Sequence, residues 1–339
     1  MLHKLTADFC RSGKQVNSLH ESDSEILIFE NGCENYLATT IDSISEEIKT
    51  GLYDSPYLIG WMSVMVNLSD LAAVGAEPIG ILISEIFPDN LSEDFIREIQ
   101  RGISDAVKKY GTFVLGGDTN SGDNLIITGC ALGKCRKKYM ARIGCKTGEI
   151  LYTTGKAGRG NAFALSKLFK KENPDLNYFP EARIKEAVII REYASCCMDS
   201  SDGLIFTLDQ LIRLNNHGFE IGYECKEIID SDSLKIASLY DIPEWLLLAG
   251  EHGDFELVFT IPADEEKEFI SSAEKIEFHP LRLGSVIAEP QLKIFINKKL
   301  KTLNGEKIRN LEKKDIKRYL QELLSYHEVL MQNESVNGE

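Results

Sequence analysis

The sequence predicts an α/β (α+β) protein of two domains, and three observations carry that expectation. The chain has 339 residues, enough for two hydrophobic cores of ordinary size. Its first half alternates short β-like runs with stretches of helical periodicity. Its second half restarts that alternation at a Gly-rich turn between a strand and a helix.

In chain order, ILIF (26–29) and YLATTID (36–42) read as strands, because β-branched and apolar residues run between polar breaks. The segment 57–74 is apolar nearly all round and reads as a buried helix. IGILISEI (79–86) is a third strand. The helix at 92–110 opens with Ser92, Glu93 and Asp94, a capping hydroxyl followed by acids that suit the positive helix start. TFVLGG (112–117) and NLIITGCALG (124–133) are two further strands, and the basic stretch 134–148, ending in turn residues, reads as a linker. This places an N-terminal domain at 1–138, a C-terminal domain at 139–310 and a C-terminal helix and tail at 311–339.

The second half begins with EILYTTG (149–155), the turn GKAGRGN (155–161) and the helix NAFALSKLFKK (161–171). A helix at 181–193, the strand ASCCMD (194–199) and the helix GLIFTLDQLIRL (203–214) follow. Strands FEIGYEC (219–225) and FELVFTI (255–261), a helix at 264–275, and strands LRLGSVI (281–287) and LKIFINK (292–298) complete the domain. The run 313–332 is an amphipathic helix and 333–339 a frayed tail.

Composition excludes several partner classes. A formal charge of -15 argues against nucleic acid, whose phosphates are bound by clustered Lys and Arg. The longest apolar run, 57–75, is interrupted by Asn67, Ser69 and Asp70, and the start lacks an apolar signal core, so no membrane association is expected. The eight cysteines contain no CxxC pair and read as reduced thiols of a cytoplasmic protein.

Four segments place aspartates where chemistry could use them: TTID (Asp42), NLSD (Asp70), GGDTNSG (Asp118) and MDSSDG (Asp199, Asp202). Asp70 lies on the apolar helix, where an unpaired carboxylate is costly; it needs a cation, strong donors, or a neighbouring loop to bond. Gly117 and Asp118 read as a turn that brings backbone close to a ligand, although Gly-Gly-Asp is also an ordinary turn. Ser201 and Asp202 could equally N-cap the helix that follows them. Should the acids converge, two carboxylates about 4 Å apart repel by roughly 4 kcal/mol at an effective dielectric near 20, and a cation is required. An all-oxygen set without His or Cys points to Mg2+ and phosphate chemistry. No Walker A motif or GxGxxG fingerprint is present to hold the phosphates instead.

The order and wording of these segments resemble the aminoimidazole ribonucleotide synthetase (PurM-like) superfamily, and most closely the thiamine-monophosphate kinases. The resemblance runs from about Asp23 to Asn304 and rests on GWMSVMVNLSDLAAVGAEP (60–78), GGDT (116–119), ARIGCKTGEILYTTG (141–155), MDSSDGL (198–204) and GDFELVFT (253–260). It implies a PurM-like fold, a homodimer whose N-terminal strands join into a β-barrel, and ATP in a cleft between the domains. It implies Mg2+ ions held by Asp42, Asp70, Asp118, Asp199 and Asp202, with Thr40 as a hydroxyl ligand and Asp23 as the single survivor of an acidic pair. Arg142, Ser201 and the Gly117–Asp118 segment match nucleotide contacts.

The departures lie mainly on the acceptor side. A kinase histidine is replaced by Lys49, the usual GGEDYEL reads GEHGDFEL, and the chain continues into a charged helix. The expectation is therefore a Mg2+-dependent ATP phosphotransferase acting on a small-molecule acceptor other than thiamine monophosphate. Asp202 or Lys49 would assist if the acceptor is a hydroxyl or amide; Lys49 could instead neutralise an anionic acceptor or be a solvated lysine. The alternatives are an ATP-dependent ligase or cyclase acting through an acyl- or iminophosphate, and a non-catalytic nucleotide-binding regulator.

Overall fold

The computed structural model describes residues 11–28, 34–169, 176–311 and 316–332. Two sheets organise it, one in each half of the chain. The first contains β1 (Glu25–Leu27), β2 (Asn35–Ser43), β3 (Glu77–Phe87), β4 (Val114–Ser121) and β5 (Ile126–Arg136), in the order β1-β2-β5-β3-β4. All its pairings are antiparallel except β3 with β4. Helices α1 (Ser45–Thr50), α2 (Pro56–Ala73) and α3 (Glu93–Lys109) belong to this half. Fourteen of the eighteen residues of α2 are buried, so any polar group on it must find its partner inside the protein. Helices α2 and α3 touch backbone to backbone: a Cβ on Gly60 would come within 1.9 Å of the Ile99 carbonyl oxygen. The predicted cap holds, since the Ser92 hydroxyl accepts from the Phe95 amide.

The second half contains β6 (Ile150–Thr153), α4 (Arg159–Phe169), α5 (Ile184–Tyr193), β7 (Cys196–Asp199), α6 (Leu204–Asn215), β8 (Gly218–Glu224), α7 (Cys225–Ile228), α8 (Ser231–Tyr240) and α9 (Leu246–Ala249). It continues with β9 (Leu257–Ile261), α10 (Glu266–Glu274), β10 (Leu281–Ile287), β11 (Leu292–Ile296), β12 (Lys299–Leu303), α11 (Gly305–Arg309) and α12 (Ile316–Gln332). Its seven strands run β12-β11-β8-β10-β6-β9-β7. The architecture is a mixed α/β fold with one sheet in each half.

The halves are firmly joined. The end of α2 packs into the second half, where Ala72 and Ala73 share an apolar cluster with Ile190, Cys197 and Leu257. The buried Arg191 guanidinium donates to the Gly75 carbonyl at 2.6 Å, and the Trp61 indole donates to the Pro180 carbonyl at 2.9 Å. This junction fixes the last turn of α2 against β7.

Several expectations need correction. The Gly-Gly-Asp segment is strand rather than turn: β4 hugs β3 so closely that a Cβ on Gly117 would lie 1.8 Å from the Ile83 carbonyl oxygen. The linker begins later than 134, because Lys134, Cys135 and Arg136 still pair with β2. LKIFINK stops at Ile296; Asn297 and Lys298, both with positive φ (52° and 63°), form the two-residue turn into β12. Ser201 and Asp202 do not cap α6, whose N-cap is Gly203 without a side-chain bond. Phe29, the ends of the helices predicted at 161–171 and 313–332, and the tail 333–339 lie outside the described residues, as do Cys10 and Cys33; the other six cysteines are free thiols. Among the described residues, no helix is long and apolar enough to cross a membrane.

Candidate active site

Four pieces of chain bring acids to the junction of the halves. The segment before β1 supplies Asp23, β2 supplies Thr40 and Asp42, the last turn of α2 supplies Asp70, and the end of β7 supplies Asp199. Thr40 and Asp42 are two apart on a strand and so share one face. Carboxylate oxygens of Asp23, Asp70 and Asp199 all lie within 4.8 Å of one another.

Hydroxyls and one guanidinium hold the acids in place. Thr40 Oγ1 donates to Asp70 Oδ2 at 2.5 Å, Ser69 Oγ to Asp199 Oδ2 at 2.5 Å, and Ser201 Oγ to Asp199 Oδ1 at 3.0 Å. Arg142 donates twice to Asp23 Oδ1, at 2.7 and 3.1 Å. The Asp23 side chain is 1% exposed, and its Oδ2 is buried with no hydrogen-bond partner. The Asp42 carboxylate lies beside that of Asp70, and its backbone amide donates to Asn67 Oδ1 at 3.1 Å. With Asp70, Ser201 and Asp202 it lines an acidic recess of about 170 Å³.

One arginine does not balance so much negative charge. At 4.8 Å each carboxylate pair repels by about 3.5 kcal/mol at an effective dielectric of 20. The acids respond by holding protons. Burial, then the repulsion of Asp23, pushes Asp199 up to about 7. Burial and the charges of Asp199, Asp42 and Asp23 hold Asp70 well above the usual carboxylate range. Burial raises Asp23 even though Arg142 opposes it. Desolvation raises Asp42 as well, with Asp202 and Asp23 adding repulsion. The orphaned Asp23 oxygen and a donor set made only of hard oxygens fit Mg2+, which takes a few carboxylates and completes its shell with waters and substrate phosphates.

The structure thus gathers Asp23, Thr40, Asp42, Asp70, Arg142, Asp199, Ser201 and Asp202 at one place. Gly117 and Asp118 stand apart from that group, on the exposed strand β4, where Asn120 Nδ2 donates to Asp118 Oδ2 at 2.7 Å. Lys49 is exposed on α1, at a second and larger cavity of about 670 Å³ that also receives Glu46, Glu47, Glu251 and His252. Glu47, Glu251 and His252 line both cavities and so connect them.

Three contributors escaped the sequence. Ser69 orients Asp199, and nothing in NLSD marks the serine apart from its aspartate. Glu47 has a buried Oε2 without a partner, and burial raises its carboxyl. Its signal was helical spacing, since Glu47 follows by three residues the buried Ile44 that caps α1. Burial holds the His252 imidazole down to about 4, so at neutral pH it is uncharged beside the recess. A further buried acid, Asp254, is pushed up to about 7 by burial and accepts from the Gly158 and Gly160 amides; it braces the Gly-rich turn into α4.

Comparison with known proteins shows the family of the chain. Residues 22–135 match the family model "AIR synthase related protein, N-terminal domain". The thiamine-monophosphate kinase of Pyrococcus abyssi is 31% identical over 245 residues, covering 69% of this chain and 75% of that protein. The thiamine-monophosphate kinase of Buchnera aphidicola subsp. Schizaphis graminum is 31% identical over 300 residues, covering 84% and 89%. The solved structure of AaThiL complexed with AMPPCP and TMP shares the fold, with a TM-score of 0.70 at 23% identity over 88% of this chain and 91% of that one. The chain belongs to the thiamine-monophosphate kinase family of ATP-dependent phosphotransferases.

Proposed function

We propose that the chain transfers the γ-phosphoryl group of ATP to a small-molecule acceptor other than thiamine monophosphate, with Mg2+ held at the acidic cluster. The observation that carries this is the meeting of Asp23, Asp70 and Asp199 within 4.8 Å around an orphaned carboxylate oxygen. Bound there, Mg2+ would neutralise charge on the phosphates, which is most of what phosphoryl transfer asks of a protein. Thr40, Asp42 and Asp202 extend the ligand set toward the recess. Arg142 and Ser201 orient Asp23 and Asp199 and stand ready for the nucleotide, and we assign Gly117 and Asp118 to it as well. The acceptor oxygen forms its bond to the γ-phosphorus as the bond from that phosphorus to the β–γ bridging oxygen breaks, and ADP leaves with the electron pair. A phosphate acceptor has no proton to lose; a hydroxyl acceptor would pass its proton to Asp202, while Lys49 neutralises an anionic acceptor.

The acceptor side supports a changed substrate. Lys49 stands where the kinases resembled by this sequence place a histidine, the first acid of their GGEDYEL is either displaced to Glu251 or replaced by Gly253, and α12 extends beyond them. An ADP-release assay over small phosphorylated and hydroxylated acceptors, with and without Mg2+, tests the proposal. Mg2+-dependent turnover with an acceptor other than thiamine monophosphate is expected, and turnover indifferent to Mg2+ would contradict it.

We further propose a cytoplasmic homodimer with domains at 1–138 and 139–310. The outer strand β4 leaves one edge of the first sheet unpaired and is exposed along its length, and Phe113 before it is 66% exposed. An apolar edge of this kind needs a cover. The other edge lies on the strands near 26–42, where β1 pairs only Leu37–Thr39 of β2 and leaves Thr40–Ser43 uncovered, with Ile41 67% exposed. Sedimentation at micromolar concentration should show a dimer, and Leu115→Lys should shift it toward monomer; a monomeric parent protein would contradict the proposal.

A further inference from the structure

We propose that helix α12 is a wall of the acceptor pocket, and that the pocket takes an uncharged apolar ring or alkyl body joined to the oxygen that receives the phosphoryl group. This rests on the function proposed above and specifies its substrate class. The cavity of about 670 Å³ is bounded by α1, α4, α9 and α12 and is of the size that encloses a small molecule. Its polar side chains come from α1 and the 250–252 segment, with Asn161 at the start of α4 and Tyr319 on α12. Leu165, Leu168, Ile242 and Leu246 form apolar walls, and α12 adds Leu320 and Leu323. Among the described residues, none that α4, α9 and α12 contribute is charged, so a charged group buried against them would lose hydration without compensation.

The helix is anchored rather than loosely draped. Tyr319 Oη donates to the Ala249 carbonyl at 3.0 Å, and the Trp245 indole donates to His327 Nδ1 at 3.0 Å. The Asn304 amide donates to Tyr326 Oη at 2.8 Å, and Lys301 Nζ donates to the Leu330 carbonyl at 3.1 Å. Tyr319, Leu323 and Tyr326, spaced at 319, 323 and 326, are buried on the helix's inner face. Because Glu47, Glu251 and His252 line this cavity and the acidic recess alike, a molecule seated against Leu320 can present an oxygen at the recess. Leu320 and Leu323 are thereby specificity-determining residues for the acceptor.

The test uses the full chain and a series of n-alkyl phosphates from ethyl to octyl, measured as inhibitors of ADP release or by calorimetry in the presence of Mg2+ and a non-hydrolysable ATP analogue. Affinity should rise about twofold to fourfold per methylene, in keeping with burial of each group. In Leu320→Arg the dependence on chain length should be lost. If that variant melts far below the parent, Leu320→Ala serves, with a loss of several-fold for the longest members and little for ethyl phosphate. A series of flat affinity in the parent protein, or an unchanged dependence in a folded Leu320 variant, would overturn the inference. The parent protein's binding of the ATP analogue separates the two claims: a flat series with analogue bound defeats the pocket assignment alone, whereas no analogue binding defeats the phosphotransferase proposal itself.

Discussion

Asp70→Asn and Asp199→Asn should each lower Mg2+-dependent ATP turnover about a thousandfold without unfolding the protein. Removing one preorganised charge from a phosphoryl-transfer site costs on the order of 10²–10³ in rate, and these two carboxylates sit at the centre of the group. The fold should survive because the acids oppose it. Burial and mutual repulsion raise both carboxyls, so a neutral amide of the same shape removes repulsion in the metal-free protein. Both variants should therefore melt no lower than the parent without Mg2+ and gain little from adding it. ADP release and thermal melting, measured side by side, check this; parental turnover in both variants would remove the metal assignment.

Thiamine monophosphate should be turned over at less than about one per second, the low end of ordinary enzyme rates, although the nucleotide still binds. By the resemblance, Thr40, Asp42, Asp70, Arg142, Asp199, Ser201 and Asp202 keep the residues of the kinases, and the departures on this side are the acidic pair reduced to Asp23 and Ile41 in place of a hydroxyl residue. The changes collect around the other cavity, at Lys49, at the 250–253 segment and at α12. A site that satisfies specific polar groups of one ligand loses several orders of magnitude when those partners are replaced. Unselected drift would have damaged both sides alike. A coupled assay with thiamine monophosphate, beside calorimetry with a non-hydrolysable ATP analogue, decides the point, and turnover at ordinary enzyme rates would restore the plain thiamine-monophosphate kinase activity.

The acids were legible in the sequence because each carries a local contradiction. Asp70 interrupts a helix apolar on all sides, and Asp199 ends a strand whose other residues are all core, so neither could be an ordinary surface charge. Asp23 was reached only through the resemblance, since ESDSE looks like any solvated acidic loop until Arg142 folds against it. The misreadings have a common cause. TFVLGG reads as a strand, but where that strand ends and whether it finds one neighbour or two depend on partners far along the chain. The Gly-Gly-Asp segment looks like a turn because glycine is used there, yet the glycine serves the close approach of β4 to β3. Helix α12 was read correctly as amphipathic, but periodicity tells which face is apolar and not what that face covers. Its role as a wall emerged from Leu320 and Leu323 meeting α4 and α9 around a cavity.

Thermal melting with and without 10 mM Mg2+, at pH 8.0 and pH 5.5, tests most directly whether the buried acids exist to hold a divalent cation. Folding raises the Asp199 carboxyl from its usual range to about 7. Between about 4 and 7 the native protein therefore binds more protons than the unfolded chain, and the metal-free protein loses this stability as pH rises. Mg2+ must displace those protons. At pH 8.0 they are already gone from Asp199, and a concentration of about a hundred times Kd would stabilise by about 2.7 kcal/mol, or roughly 5 °C. At pH 5.5, releasing the Asp199 proton costs about 2 kcal/mol, which offsets most of the gain. The account predicts a Mg2+ shift that is large at pH 8.0, small at pH 5.5 and absent in Asp70→Asn; a shift equal at both pH values, or retained in Asp70→Asn, would contradict it.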